Sequence, residues 1–350
     1  MGKHIAVFGV GAVGGFVAGR LALAGEDVVL IDPWWQHIEY MKSNGIHLLG
    51  TDGEKVIPVK CMHIHEVQSL IRKPLDIAII CTKSYDTEWA ATMLQQYLAP
   101  QGYVVSMQNG INEERVAGVV GWGKTVGCIL STIGVDCQKP GHILRIREPR
   151  GDKYTVFRVG EVHGRVTRRA TELASILSAV DCSMVTTNLW GERWTKLTAN
   201  SITHALLGAT GYTNDEVFLK RGKPHRLGVR LAAEAIAVGR AQGYDVGTVL
   251  GINPDDWCAA AAGNSNALTS LQNGLVSWVS TLTEPSPSSM GRDVARGRRS
   301  EVDYTNGLVV AKGEEIGVPA PTHAVLSEIV RRIDRGELKA SPSNLDGVDG

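Results

Sequence analysis

The chain begins with an apolar run that breaks into closely spaced glycines. The segment IAVFGVGAVGG places Gly9, Gly11 and Gly14 in the spacing G-x-G-x-x-G, after a β-type run and before a helical pattern. Such a turn lets the backbone approach a pyrophosphate at the N-terminus of the helix, and it lets the helix pack closely on the strand. An acidic residue, Asp32, ends the next apolar run, where a carboxylate can bind an adenosine ribose. The sequence therefore predicts a dinucleotide-binding turn, and the residues expected to line the cofactor there are Gly9, Val10, Gly11, Ala12, Val13 and Gly14.

The choice of dinucleotide depends on Asp32. A carboxylate accepts hydrogen bonds from the ribose hydroxyls but repels a 2′-phosphate. The segment that follows, IDPWWQHIEY, contains no Arg or Lys that would offer the phosphate a counter-charge. We therefore expect NAD as the cofactor, with NADP as the alternative. Trp34 and Trp35 either enclose the adenine ring or simply pack against the protein.

The first half of the chain alternates short apolar runs with helical patterns. The runs HIAVFGV (4–10), DVVLID (27–32), DIAIICT (76–82) and GYVVSMQ (102–108) are nearly continuous in apolar residues. This is typical of strands buried on both faces of a parallel sheet. The alternation predicts an α/β fold, a Rossmann-type doubly wound parallel sheet. Later runs, TVGCILSTIGVDC, GHILRI and DKYTVFRVGEV, are interpreted as further strands, and RVTRRATELASILSAV as a closing helix.

Long amphipathic helical patterns dominate from about Asn188 onward. We therefore predict a dinucleotide-binding Rossmann domain over residues 1–187 and an all-helical substrate and catalytic domain over 188–340, with the active cleft between them. The last segment, 341–350, consists mostly of small and polar residues, and we expect it to be a disordered tail.

Composition excludes several classes of function. Lys and Arg number 36, as do Asp and Glu, so the formal net charge is zero; this argues against a broad contact with nucleic acid or a membrane surface. No apolar stretch approaches the roughly 20 residues of a membrane span. The six cysteines are scattered, without a C-x-x-C pair or a histidine at metal-ligand spacing. We expect reduced thiols, no metal site, and a cytoplasmic homodimer that acts on a small molecule.

One helical face of the second domain carries candidate catalytic chemistry. Lys196, Asn200 and His204 are spaced i, i+4 and i+8, so their side chains share that face. A lysine that is partly desolvated in a cleft has a lowered pKa and can donate a proton to a carbonyl oxygen. The alternative is that Lys196 simply extends into solvent from an amphipathic helix.

Four segments together resemble the ketopantoate reductase family. They are CTKSYDT (81–87), SMQNGIN (106–112), WTKLTANSITHALLGATGYTN (194–214) and SSMGRDVARGRRSEVDYTNG (288–307), in the family's order and spacing behind the glycine turn. The resemblance extends to about residue 335. It implies hydride transfer between a nicotinamide and a carbonyl carbon, with Lys196 as the proton donor. It also implies that Glu301 lies near the cofactor and beside Lys196, where a carboxylate would hold the ammonium in place.

The same resemblance implies further site residues. Asn109 would bridge the nicotinamide ribose and the substrate, Lys83 would contact the cofactor, and Ile133 would offer a backbone contact to it. The substrate-binding residues implied in this way are Asn109, Lys196, Asn200, His204, Asn214, Ser289 and Arg292.

Several departures from the family pattern affect specificity, and three of them concern residues of the expected site. His204 stands where an asparagine is expected, Arg292 where a glutamine is expected, and Asp32 where an arginine would bind a 2′-phosphate. An additional segment rich in Ala, Gly and Asn separates Asn214 from Ser289. The catalytic pair is thus kept, while the groups that would bind ketopantoate and NADPH have changed.

We therefore expect an NAD-dependent oxidoreductase that acts on a secondary alcohol or ketone, such as a 2-hydroxy acid or its 2-oxo counterpart. Two alternatives remain open. One is the family's own NADPH-dependent reduction of ketopantoate with altered contacts. The other is an NAD(P)-binding regulatory protein without turnover, which would need neither Lys196 nor Glu301.

Overall fold

The computed structural model describes residues 2–50, 53–131, 133–149, 151, 154–220, 222–282 and 288–349. The chain divides into two compact units, Met1–Leu189 and Trp190–Gly350.

The first unit alternates strands and helices, as its apolar runs predict. Its helices among the described residues are α1 (Ala12–Leu23), α2 (Trp35–Asn44), α3 (Thr87–Gln95), α4 (Glu113–Val120) and α5 (Arg168–Leu177). Its strands are β1 (His4–Phe8), β2 (Asp27–Asp32), β3 (Ile46–Gly50), β4 (Gly53–Ile57), β5 (Lys60–His63), β6 (Leu75–Ile80), β7 (Leu98–Ser106), β8 (Thr125–Leu130), β9 (Val135–Lys139), β10 (His142–Arg145), β11 (Phe157–Glu161) and β12 (Ser183–Thr186).

Eight strands form the main sheet, in the order β12-β11-β8-β7-β6-β1-β2-β5. All neighbouring strands are parallel except β11, which runs antiparallel to β8. Both faces of the sheet are covered, because alternate residues of β1 belong to different cores: Ile5 and Val7 to one, Ala6 and Phe8 to the other. This confirms the predicted α/β fold, with one antiparallel pair that the sequence analysis did not anticipate.

A second, four-stranded sheet with the order β4-β3-β10-β9 was not predicted. It combines the β3–β4 hairpin with strands from much later in the chain, and β10 pairs parallel to β3. Helix α1 packs against it through glycines. A Cβ at Gly15 would lie 3.0 Å from Ile143 Cδ1, and a Cβ at Gly19 would lie 3.2 Å from Ile46 Cγ2. The glycines of α1 therefore allow this sheet to pack closely against the helix.

The second unit is helical, in agreement with its amphipathic patterns. Among its described residues, β pairing is limited to one isolated bridge, between Val249 and Ile252. Throughout the described part of the chain, no helix is both long enough and apolar enough to cross a membrane. The helices are α6 (Leu189–Thr210), α7 (Asn214–Phe218), α8 (Lys223–Ala241), α9 (Pro254–Ala261), α10 (Ser265–Ser280), α11 (Ser289–Ala295), α12 (Asn306–Ile316) and α13 (Pro321–Asp334).

The structure departs from the expectation of disorder for residues 341–349. Residues Pro342–Leu345 form a short 3-10 helix, and Leu345 and Val348 are buried. The Asn344 side-chain amide donates a hydrogen bond of 2.9 Å to the carbonyl oxygen of Ala209, at the end of α6. Two apolar side chains and one amide thus give this polar segment a defined place, which its composition does not reveal.

Candidate functional site

The glycine turn between β1 and α1 has the geometry that its spacing predicts. Gly9 has φ of +87°, and a Cβ there would lie 2.6 Å from the backbone nitrogen of Thr82. A Cβ at Gly14 would lie 2.2 Å from the carbonyl oxygen of Gly9, so a larger residue would push α1 away from the turn. A Cβ at Gly11 would meet no described atom within 4 Å. The turn is therefore closely packed at its two ends and open at its centre, where a pyrophosphate would need the space.

The N-terminus of α1 suits an anion. Gly11 occupies its N-cap position without a side-chain hydrogen bond, and the first turn contains no acidic residue. Backbone N–H groups at such an end point outward and favour negative charge. The described residues around the turn thus fit the phosphates of a dinucleotide.

Asp32 ends β2 beside the turn and is 8% exposed. Its Oδ2 accepts a hydrogen bond of 2.7 Å from the Val10 N–H, and its Oδ1 accepts one of 2.8 Å from the Trp34 N–H. Burial raises the pKa of Asp32, and these two N–H groups oppose that rise. Each carboxylate oxygen can accept a second hydrogen bond, so Asp32 keeps the capacity to bind ribose hydroxyls while it also shapes the turn.

His37, on α2, is a positioning residue that the sequence analysis missed. Its Nδ1 accepts a hydrogen bond of 2.9 Å from the Gly141 N–H, and its Nε2 donates one of 2.9 Å to the carbonyl oxygen of Val10. One neutral tautomer satisfies both contacts, and burial lowers the pKa of His37 accordingly. The ring therefore joins the four-stranded sheet to the glycine turn. No spacing in the sequence relates residues 10, 37 and 141, so only the fold shows this connection.

Two tryptophans follow Asp32 and remain exposed. Trp34 stacks on His37, with ring centroids 4.9 Å apart and an interplanar angle of 5°. Trp35 contacts His63 edge-on at 5.4 Å. Both rings thus pack on histidines and still present surface to solvent beside Asp32. Their suggested role at an adenine stays a prediction.

The loops after β6 and β7 carry two more predicted cofactor residues. Lys83 begins a short 3-10 helix at Ser84–Asp86, and Asn109 lies just beyond β7. Gln108 joins the two loops, because its Nε2 donates a hydrogen bond of 3.0 Å to the Thr82 carbonyl oxygen. The Asn109 carbonyl oxygen accepts one of 3.1 Å from Ser84 Oγ. Since β6 and β7 are neighbours, these loops meet at the carboxyl edge of the sheet where the glycine turn also lies. Ile133, the remaining cofactor candidate, is buried between β8 and β9.

Helix α6 positions the candidate proton donor. Lys196 and Asn200 are half-buried, and His204 is buried one turn further along the same face. His204 Nε2 lies 3.2 Å from Ser289 Oγ, at the start of α11. Two residues that were expected to bind substrate, 85 positions apart in the chain, are thus in hydrogen-bond contact.

The other predicted residues of this unit lie on three segments. Glu301 is 7% exposed and immediately precedes the short 3-10 helix Val302–Tyr304. Asn214 is buried at the start of α7, and Arg292 is half-buried on α11. The contact of Glu301 with Lys196 stays a prediction.

A buried polar network ties the segment after Glu301 to α6. The Asn306 side-chain amide donates a hydrogen bond of 2.9 Å to the Ser201 carbonyl oxygen and lies 3.1 Å from His323 Nδ1. His323 Nε2 donates in turn to the Leu231 carbonyl oxygen at 2.9 Å. Asn306 and His323 are completely buried. Because these bonds join α6, α8, α12 and α13, they fix the start of α12 next to the helix that carries Lys196.

Comparison with known proteins identifies the family of both units. The protein-family model described as "Ketopantoate reductase PanE/ApbA" matches residues 5–156. The family model described as "Ketopantoate reductase PanE/ApbA C terminal" matches residues 188–334. A similar curated relative is the 2-dehydropantoate 2-reductase of Archaeoglobus fulgidus, which is 29% identical over 335 residues, 95% of this chain and 99% of the relative.

Solved structures show the same similarity over nearly the whole chain. The PanE/ApbA family ketopantoate reductase from Ralstonia eutropha JMP134 has a TM-score of 0.77 at 26% identity, over 95% of this chain and 99% of its own. D-mandelate dehydrogenase, solved with NADH and anilino(oxo)acetate, has a TM-score of 0.79 at 19% identity, over 95% and 98% of the two chains. The second match shows that the fold is shared.

Proposed function

Because the chain belongs to the ketopantoate reductase family, we propose that it interconverts a small 2-hydroxy acid and its 2-oxo acid with NAD as the cofactor. Its family membership makes the protein an oxidoreductase that acts on CH–OH or keto groups with a nicotinamide cofactor. The NAD assignment and the substrate class are the proposal, and the observation that carries it is the buried carboxylate of Asp32 beside the glycine turn.

The charges around Asp32 favour NAD over NADP. A carboxylate repels a 2′-phosphate unless a nearby cation compensates. The first cation beyond it in the chain, Lys42, is already bound to Glu39 at 3.0 Å and to Glu66 at 2.8 Å. Two carboxylates thus neutralise this ammonium, which makes it a poor partner for a phosphate. The ribose hydroxyls of NAD, by contrast, can donate to the lone pairs that remain on Asp32.

Lys196 is the proposed general acid and base. When bound, the nicotinamide supplies the hydride acceptor for oxidation and the hydride donor for reduction. In oxidation the Lys196 amine takes the hydroxyl proton of the substrate, and in reduction its ammonium returns a proton to the carbonyl oxygen. The buried carboxylate of Glu301 would hold the ammonium in place. His204 and Ser289, which contact each other, would bind the substrate carboxylate.

The substrate class rests on what the relatives share. Ketopantoate and mandelate are both α-substituted acids, one a 2-oxo acid and the other a 2-hydroxy acid, and both names occur among the similar proteins. The replacement of asparagine by His204 and of glutamine by Arg292 argues that the substrate of this chain differs from ketopantoate. Helices α9 and α10 lie in the segment between Asn214 and Ser289 that is longer than the family pattern, and they would contribute to that difference.

Two alternatives keep specific support. The NADPH-dependent reduction of 2-dehydropantoate is favoured by relatives that are 2-dehydropantoate 2-reductases and are 23–29% identical to this chain. A regulatory protein that binds NAD(P) without turnover would need the glycine turn alone. The half-buried Lys196 and the buried Glu301 argue against it, because a sensor requires neither.

A cofactor-by-substrate panel tests the proposal. The purified protein is assayed by nicotinamide absorbance with NAD, NADP and their reduced forms, against a series of 2-hydroxy acids and 2-oxo acids that includes 2-dehydropantoate. Turnover that is fastest with NAD or NADH on an acid other than pantoate or 2-dehydropantoate supports the proposal. Preferred turnover of 2-dehydropantoate with NADPH supports the family's own activity, and cofactor binding without any turnover supports the regulatory alternative.

Glu301 offers a second test of the chemistry. Glu301→Gln keeps the shape of the side chain and removes its charge, so the Lys196 ammonium would lose its neighbouring carboxylate. We expect the pH at which the oxidation rate is highest to shift, with a smaller loss of rate than Lys196→Ala causes. Glu315→Gln, an exposed carboxylate on α12, is the matched control and should leave the pH profile unchanged. An unchanged profile in Glu301→Gln would contradict its assignment as the partner of Lys196.

A further inference from the structure

Three side chains with metal-ligating atoms meet on one face of the four-stranded sheet. His47 on β3 and His142 on β10 are register partners, and Glu54 on β4 opposes Leu49, which shares a face with His47. One ligand atom from each of the three side chains lies within 4.8 Å of the others. From this arrangement we propose that His47, Glu54 and His142 form a binding site for a divalent transition metal ion of the Zn²⁺ type.

The hydrogen bonds of the two rings leave lone pairs for a metal. His142 Nδ1 lies 2.8 Å from the Pro140 carbonyl oxygen, which can only accept, so the ring carries its proton there and Nε2 keeps a lone pair. His47 Nδ1 lies 2.6 Å from Glu54 Oε1, and a metal ion would replace the proton between them. His47 Nε2 lies 3.4 Å from the Tyr40 hydroxyl, which would accept its proton once Nδ1 binds the ion. Metal-bound histidines commonly have such outer partners.

The donor set indicates the class of ion. Two imidazoles and one carboxylate favour Zn²⁺, Co²⁺ or Ni²⁺ over Mg²⁺ and Ca²⁺, which prefer all-oxygen sites. Glu54 is half exposed at its side chain while His142 is buried. Water would therefore reach the fourth position of a tetrahedral site.

A modest rotation of the side chains completes the site. The two imidazole rings are stacked, with centroids 4.3 Å apart and an interplanar angle of 17°. Donors that share one Zn²⁺ at about 2.0–2.1 Å each lie about 3.3 Å apart, so one ring must turn for both nitrogens to converge on the ion. The exposed carboxylate of Glu54 has the freedom to follow.

No metal site was expected from the sequence, because the three ligands are far apart in the chain. His47 and Glu54 are 7 positions apart, and His142 follows 88 positions later. No local motif has that spacing. The three residues become neighbours only because β3, β4 and β10 form one sheet. The site is independent of the proposed catalytic function, since it shares no residue with it.

Calorimetric titration of the metal-stripped protein with Zn²⁺ tests the proposal. We expect one equivalent to bind, and Co²⁺ to bind with the strong visible absorption of a four-coordinate ion. Loss of an outer partner of a metal ligand typically costs 10–100-fold in affinity, so loss of a ligand should cost at least as much. We therefore expect His142→Ala and His47→Ala each to weaken Zn²⁺ binding by at least about 100-fold, and the exposed, shape-conserving Glu54→Gln to weaken it by at least about tenfold. Circular dichroism and cofactor binding confirm that each variant is folded.

The matched control is His163→Ala. His163 also lies beside a carboxylate, 3.8 Å from Glu161, but this pair lacks a second histidine. Its removal should leave Zn²⁺ affinity unchanged. If Zn²⁺ binds equally well to wild type, Glu54→Gln and the folded histidine variants, the ion binds elsewhere and the proposal is wrong. The absence of measurable binding to the wild-type protein would also overturn it.

Discussion

The two units carry their predicted functional groups in different ways. In the first unit the turn between β1 and α1 would bind the cofactor through its backbone, with Gly9 and Gly14 packed closely and Gly11 open. In the second unit the proposed chemistry would depend on side chains from separate segments, such as Lys196 on α6 and Ser289 on α11. A backbone site is encoded locally and is visible as a motif. A side-chain site exists only when tertiary packing holds its parts together.

We predict that loss of the proposed proton donor in the second unit abolishes the chemistry without loss of cofactor binding. Lys196→Ala removes the proposed proton path and leaves the glycine turn untouched. We expect the oxidation rate to fall by roughly 10²–10⁴-fold, the usual scale of general acid–base catalysis. The dissociation constant of NAD should stay near its wild-type value. Stopped-flow rates and fluorescence titration with NAD measure the two quantities.

The control for this variant is Lys220→Ala, an exposed lysine whose ammonium lies 3.9 Å from Glu216. It should change neither the rate nor the affinity for NAD. Near-normal turnover of Lys196→Ala would assign this lysine to the helix surface and remove it from the mechanism. If Lys196→Ala lost NAD affinity as well as rate, cofactor binding and catalysis would not be separable between the two units.

The buried network of the second unit should make that unit sensitive to acid. Burial lowers the pKa of His323 to about 4, from an ordinary value near 6.5. The folded state therefore binds fewer protons than the unfolded state between these two pH values. The contribution of neutral His323 to the free energy of unfolding is fully present above about pH 6.5. It is lost as the pH falls toward 4, and the total loss is about 3 kcal/mol. Urea denaturation at a series of pH values measures this loss.

Two variants isolate the effect of His323. His323→Gln can accept from Asn306 and donate to the Leu231 carbonyl oxygen but does not titrate, so the free energy of unfolding should depend less steeply on pH. His163→Gln alters an exposed histidine and should keep the wild-type slope. A slope that His323→Gln leaves unchanged would contradict the assignment, and another group, such as the buried His37, would then account for the acid sensitivity.

The difference between the units also explains what the sequence could predict. The main sheet and the glycine turn follow from local patterns, because each central strand is apolar along its length and each required glycine lies within six residues of the next. The four-stranded sheet could not be predicted in the same way. Its strands are four or five residues long, and β10 pairs with β3 across most of the first unit. Pairing at that distance leaves no periodic signal.

Among the site residues, the buried polar groups were the hardest to foresee. His37, Asn306 and His323 lie within helical patterns, where a polar residue normally indicates a solvated face. Each instead bonds backbone groups of a distant element. Asp32 was predicted for its charge, and the structure adds that it also holds the N–H groups of Val10 and Trp34.

Cofactor preference probes Asp32, a side chain that bonds the backbone of the turn. Asp32→Asn removes the charge that repels a 2′-phosphate, and we expect the ratio of kcat/KM with NAD to that with NADP to fall by roughly tenfold. The ratio is the informative quantity. Both cofactors use the same turn, so any general damage from the lost hydrogen bond to Val10 or Trp34 cancels.

Asp27→Asn is the matched control, since Asp27 begins the same strand and is paired with Lys60 at 2.8 Å. Its NAD-to-NADP ratio should equal that of the wild type. A wild-type preference for NADP would show that a cation elsewhere, such as Lys83, decides the selectivity. An unchanged ratio in Asp32→Asn would assign Asp32 to the structure of the turn alone.

The smallest expected effect concerns the contact between His204 and Ser289, and it tests whether the second site acts through paired side chains. The two atoms lie 3.2 Å apart on different helices. His204→Asn, Ser289→Ala and the double variant form a mutant cycle, with kcat/KM for the preferred acid as the readout. If the hydroxyl and the imidazole hold the substrate carboxylate together, the two losses should overlap, with a coupling of about 0.5–1.5 kcal/mol. Thr203→Ser in place of His204→Asn gives the control cycle, because Thr203 bonds the carbonyl oxygen of Ala199 within α6 and should not couple to Ser289. Additive losses in the first cycle would mean that the two residues act separately, and the side-chain site would then be less cooperative than the backbone site.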